Sequence, residues 1–141
     1  MHALPPDVPP PPVSSSVVIL VAEDEPKIRE LVQLVLRHRG YAVLAAGDAA
    51  QAQALAEPLR DAPALLLTDV VMPGRSGREL CDALRLRWPA LPVLFMSGFA
   101  GDALAGLPPG PAHTGFLAKP FTPAQLLAQV GELLRGTMTS L

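Results

Sequence analysis

The sequence has a single cysteine, no surplus of basic residues and no long apolar run, and each shortage closes off a class of function. Cys81 stands alone, which excludes an internal disulfide and any site built from several thiolates. With 11 Lys and Arg against 13 Asp and Glu, the formal net charge is -2. A protein that tracks nucleic-acid phosphates carries a surplus of the opposite sign on one face. The apolar stretch from Val17 to Ala22 is too short for a secretory core and follows prolines and serines instead of a basic leader. No repeat or coiled-coil heptad competes for the remaining pattern. The expectation is a soluble cytoplasmic domain that touches neither nucleic acid nor membrane.

What is present divides into a tail and a body. Residues 1–16, MHALPPDVPPPPVSSS, hold six prolines and end in three serines. Such a composition cannot bury enough apolar surface to offset its ordering entropy, so it reads as an extended linker. The body, 17–136, is long enough for one core, with 137–141 as a short tail. Its apolar runs VVILVA, YAVLA, ALLLT, VLFMS and GFLAK lack a period of two, as strands covered on both faces do, and therefore predict parallel strands. Between them lies helical punctuation. Pro26 opens a helix with Ile28, Leu31, Val32, Val35 and Leu36 on one stripe, and Gly40 stops it. Asp48 caps a second helix through Ala52, Leu55 and Leu59. Ser76 with Glu79 and Thr122 with Gln125 form capping boxes. Between Ser97 and Thr114 so much Gly and Pro intervenes that the helix there must be short. Five strands alternating with five helices predict a doubly wound α/β fold.

In an open parallel sheet, ligands bind beyond the carboxyl ends of the strands. The polar residues of this sequence stand at those ends: Glu23 and Asp24 after the first strand, Asp69 after the third, Ser97 after the fourth, Lys119 after the fifth. Carboxylates crowded into one small pocket raise each other's pKa unless a cation joins them, and an all-oxygen donor set suits Mg²⁺. A carboxylate held beside a hard cation, a hydroxyl and an ammonium group is equipped to attack phosphorus. That chemistry explains why the buried run LLLTD ends on a charge.

The segments VAEDEP, LLLTDVVMPGRSG, VLFMSGFA and FLAKPFTP together resemble the four signature segments of the response-regulator receiver domain, in order, over about residues 17–135. The wording TDVVMPGRSGREL with PVLFMSGFA is most similar to the C-terminal receivers of hybrid sensor histidine kinases. The resemblance implies a flavodoxin-like fold of five parallel strands in the order 2-1-3-4-5. It implies Asp69 as the phosphoacceptor, with Glu23, Asp24, Asp69 and the Val71 carbonyl as Mg²⁺ ligands. It also implies Ser97 as the switch hydroxyl, Lys119 as the phosphoryl contact, Phe116 at the switch-aromatic position and a cis bond before Pro120. Val71 and Phe99 hold the two positions that flank the path of a hydrolytic water. The partners so implied are a histidine kinase or its phosphotransfer domain, and either a downstream protein or a second, phosphorylated copy.

Less specific readings stand beside these. Phe116 reads nearly as well as a core residue, Glu25 as a solvated first-turn acid, and Cys81, Met72 and Met96 as packing. None of the three histidines has an acidic neighbour on an amphipathic helix, so the chain is not expected to be a kinase or other enzyme. A haloacid-dehalogenase-like phosphatase needs a second Asp two residues after the nucleophile, where Val71 stands. A degenerate receiver that only binds partners is expected to have lost acidic residues or the lysine, and all are present. Only GTMTSL follows the last helix, so the chain is expected to be either a stand-alone receiver or the end of a hybrid kinase.

Overall fold

The computed structural model describes residues 17–98 and 113–139. Five strands, β1 (Val18–Ala22), β2 (Ala42–Ala46), β3 (Leu65–Asp69), β4 (Val93–Ser97) and β5 (Thr114–Ala118), alternate with helices α1 (Pro26–Arg39), α2 (Ala49–Ala56), α3 (Gly77–Arg87) and α4 (Pro123–Thr139). The strands form one sheet in the order β2-β1-β3-β4-β5, and every pairing is parallel. The expected doubly wound sheet and its strand order are therefore present. Four helices occur among the described residues; the fifth, expected after Ser97, lies at residues outside them. The linker reading of 1–16 also lies outside. The last helix reaches Thr139, beyond residue 136 where the receiver was expected to end.

Alternation along the strands sorts the core into two layers. Leu20, Ala22, Leu66, Val93 and Phe95 face one side, where Ala49, Ala52 and Ala56 of α2 and Leu80, Cys81 and Leu84 of α3 cover them. Ile19, Val21, Leu65, Leu67, Leu94 and Met96 face the other, under Val32 and Leu36 of α1 and Leu126 and Val130 of α4. In the central strands β1, β3 and β4 nearly every consecutive residue is thus buried, which is why those runs show no period of two, while the edge strands β2 and β5 are only partly covered. Burying each Leu or Ile contributes about 1.5–3 kcal/mol, and β3, whose five residues are all buried, sits at the centre of the sheet.

The helix signals hold with small shifts. Pro26 begins α1, and Gly40 ends it in the left-handed conformation (φ 108°). Of the predicted stripe, Val32 and Leu36 are buried while Leu31 is 41% exposed, because it lies at the flank of the apolar face. Asp48 accepts a hydrogen bond from the Gln51 amide at 2.7 Å. Helix α2 stops at Ala56, however, and Leu59 packs from beyond its end. The open carbonyls there are held by Arg87 of α3, which donates to the oxygens of Ala56 at 3.0 Å, of Glu57 at 3.3 Å and of Leu59. Both capping boxes form: Glu79 N to Ser76 Oγ at 3.1 Å and Gln125 N to Thr122 Oγ1 at 3.1 Å. Among the described residues no helix is long and apolar enough to cross a membrane.

Candidate functional site

Parallel strands place their carboxyl ends along one edge, and there the apolar runs end in charge. Asp69 is the last residue of β3, paired in register with Met96 of β4 and 3% exposed. Glu23 follows β1 and is fully buried; its amide donates to Ala46 O at 3.0 Å, so the end of β2 carries the turn. The Glu25 amide donates to Glu23 Oε2 at 2.9 Å, turning the carboxylate back over its own loop. Lys119 follows β5, with its amide bonded to Ser97 O at 2.8 Å and a cis bond to Pro120. Its Nζ lies 2.5 Å from Asp69 Oδ1 and 2.7 Å from Glu23 Oε1. Residues distant in sequence meet at one point, as the strand ends predicted.

Oxygens of Glu23, Asp24 and Asp69 lie within 4.8 Å of one another, with Asp24 the exposed member. Three carboxylates against one ammonium leave a surplus of negative charge. Asp69 Oδ2 is buried with no hydrogen-bond partner, and Glu23 Oε1 has only the ion pair with Lys119. Buried oxygens without donors are costly unless a cation completes them, so this donor set fits a hard divalent ion such as Mg²⁺. The electrostatics agree. Burial, reinforced by the neighbouring Glu23 carboxylate, pushes the Asp69 carboxyl up to about 8, against the pull of Lys119. Burial also opposes ionisation of Glu23, yet the neighbouring Asp69 and Lys119 and the bond from the Glu25 amide outweigh it and hold the group below its usual range. Burial disfavours the Lys119 charge too, but the two carboxylates raise its pKa.

The remaining expected residues occupy definite places. Ser97 ends β4, in register with Ala118. Val71 lies two residues beyond Asp69 and is 68% exposed. Phe116 is half-buried against the α2/α3 layer and stacks on Phe95 with centroids 5.8 Å apart. Its inward, core-like packing is the less specific of the two readings that the sequence allowed. Cys81, Met72 and Met96 are buried as packing. Glu25 is exposed, with only its amide directed to the site. Phe99 lies outside the described residues.

Two contributors were not singled out from the sequence. A Cβ on Gly77 would stand 1.8 Å from Asp69 O, so only glycine lets α3 begin against the end of β3; its amide bonds Val70 O at 2.9 Å. Thr68, fully buried, donates its hydroxyl to Asp69 O at 3.0 Å. A glycine at the start of a helix, shortly after a strand-ending acid, was the available signal for the first. The second had none.

The family described as "Response regulator receiver domain" matches residues 19–131. The chain belongs to the response-regulator receiver family. This receiver is 38% identical over 115 residues to the sensor kinase CckA of Brucella abortus, covering 82% of this chain and 12% of that protein. It is 35% identical over 120 residues to the probable transcriptional regulatory protein TcrX of Mycobacterium tuberculosis, covering 84% of this chain and 50% of that one. The chain therefore spans half or less of these curated relatives. The crystal structure of the receiver domain from the hybrid histidine kinase CckA superposes with a TM-score of 0.71 at 34% identity, covering 83% of this chain and 98% of that one. The chain is a receiver domain of two-component signal transduction, similar to hybrid-kinase receivers and to response regulators alike.

Proposed function

We propose that Asp69 is the phosphoacceptor of this receiver, and that Glu23, Asp24, Asp69 and the Val71 carbonyl hold its Mg²⁺. The observation that carries the reading is the buried contact of Lys119 Nζ with Asp69 Oδ1 at 2.5 Å and Glu23 Oε1 at 2.7 Å, beside an Asp69 Oδ2 that has no partner. An oxygen of ionised Asp69 attacks the phosphorus of a phosphohistidine or of a small acyl phosphate. As the new oxygen-phosphorus bond forms, the bond from phosphorus to the donor's nitrogen or oxygen breaks, and its electron pair leaves with the donor. Lys119 neutralises charge on the transferred group, and the Ser97 hydroxyl donates to one of its oxygens. When bound, Mg²⁺ supplies charge neutralisation and favours the ionised carboxylate.

The acceptor step consumes the site once per phosphoryl group, so the chain works as a switch and not as a turnover enzyme. With its phosphoryl oxygens bonded, Ser97 moves toward the site and Phe116 repacks from Phe95, shifting an equilibrium that already exists. The donor is a histidine kinase or its phosphotransfer domain, and the reader is a downstream protein or a second phosphorylated copy. On this reading residues 1–16 are a linker, 17–136 the receiver and 137–141 a short tail. The chain works in the cytoplasm, as a response regulator or as the receiver of a hybrid kinase.

Intact-mass measurement after incubation with acetyl phosphate tests the assignment. Wild type gains one phosphoryl group in a Mg²⁺-dependent manner, and Asp69→Asn gains none. Undiminished labelling of the variant would show that another residue is the acceptor.

A further inference from the structure

We infer that Arg29 is a positioning residue for the acidic pair Glu23 and Asp24. The inference rests on the proposed Mg²⁺ reading of that pair. Arg29 lies in the first turn of α1, past the loop that carries both acids, and its side chain folds back. Nη1 donates to the main-chain carbonyl of Glu23 at 2.9 Å. No carboxylate among the described residues lies within ion-pair distance of this guanidinium. Its contact is therefore with the backbone of a proposed metal ligand and not with a surface acid.

A second observation supports the same role. A Cβ added at Gly47 would stand 3.1 Å from Arg29 Nη1 and 3.8 Å from its Cζ, so the missing side chain leaves room for the guanidinium over the end of β2. Besides its ion pair with Lys119, three hydrogen bonds locate Glu23. Its amide is tied to Ala46 O at 3.0 Å, its Oε2 to the Glu25 amide at 2.9 Å, and its carbonyl to Arg29. The first two come from the backbone and survive most substitutions. Arg29 is the one side chain among the described residues that holds the Glu23 main chain, and through it the peptide leading into Asp24. Groups that orient metal ligands commonly control affinity by about 10- to 100-fold, because a ligand displaced by a fraction of an ångström no longer meets the ion's geometry.

The test uses the whole chain and Mg²⁺ itself. Calorimetric titration gives the Mg²⁺ dissociation constant of wild type, Arg29→Met and Arg29→Lys, and urea unfolding without Mg²⁺ gives the stability of each. Arg29→Met should weaken Mg²⁺ binding by about tenfold or more. Its phosphorylation rate with acetyl phosphate should recover once Mg²⁺ is raised to saturation. Arg29→Lys keeps the charge and one donor, so it should restore part of the affinity; it also keeps the test valid should the Met variant not fold. A dissociation constant within twofold of wild type in the variants, with only the urea midpoint lowered, would show a merely structural residue and overturn the inference. Wild type that binds no Mg²⁺ would instead overturn the metal reading on which it rests.

Discussion

Leu67 and Asp69 stand two residues apart on the same face of β3, both nearly sealed from solvent, and they do opposite things for the molecule. Leu67 packs with Ile19, Val21, Leu94 and Met96 under α1 and α4, where burial is favourable without further conditions. Asp69 is buried at the strand's end with one oxygen on Lys119 and the other without a partner. Burial there works against the ionised form that the proposed chemistry requires. The sheet's middle stabilises the fold, and its carboxyl edge holds groups in an unfavourable setting that a cation or a phosphoryl group can relieve. A rigid interior directly behind the site is what keeps the strained groups from relaxing apart.

The contrast can be broken from either side. The largest stability effect is expected in the middle. Leu67→Ala should cost about 2–5 kcal/mol, the range for truncating a sealed leucine, read as a lowered urea midpoint with an unchanged slope. A loss well under 1 kcal/mol would mean that this layer can collapse around the gap. Next comes the edge. Because Mg²⁺ binds only the folded chain on this account, a hundredfold excess over its dissociation constant should stabilise wild type by about 2.7 kcal/mol. The same excess should do much less for Asp69→Asn, which removes a ligand charge. Equal stabilisation of both would move the ion away from Asp69. The smallest effect concerns Val71, exposed two residues beyond the proposed acceptor and with a side chain unable to hydrogen-bond a water. Val71→Asn should shorten the phosphoryl lifetime by about fivefold or less, the worth of one hydrogen bond of about 1 kcal/mol. A decay assay that finds the lifetime unchanged or longer would remove water positioning as the controlling factor.

The sequence disclosed these two regions unequally. Strands buried on both faces and helices with explicit caps leave strong local signals, so the alternation, the caps and the strand-end positions of Glu23, Asp24, Asp69, Ser97 and Lys119 were legible. Strand limits differ by a residue at β1, β2, β3 and β5, because flanking residues such as Val17, the alanines and Thr114 suit a strand or a turn equally. Leu31 was assigned to the stripe yet is 41% exposed, since periodicity finds the face but not its edge. What stayed hidden depends on distance in space: the missing Cβ of Gly77 against Asp69 O, the Thr68 hydroxyl on the same carbonyl, and Arg29 reaching back to Glu23 O. Gly77 left only its place at a helix start soon after the acid, and the other two contacts leave no spacing rule. The phenyl of Phe116 was ambiguous for another reason, because a residue that stacks on Phe95 serves the core in one state whether or not it moves in another.

The central claim is that one strand carries stability at Leu67 and phosphoryl acceptance at Asp69. It is tested most directly by making both readings on the same two variants. Urea midpoints without Mg²⁺ and intact mass after acetyl phosphate with Mg²⁺ should separate completely. The account predicts that Asp69→Asn keeps a midpoint close to wild type and gains no phosphoryl group. Leu67→Ala should lose several kcal/mol while its folded fraction still gains one. Phosphorylation of Asp69→Asn at the wild-type level would contradict the account, whatever the midpoints show.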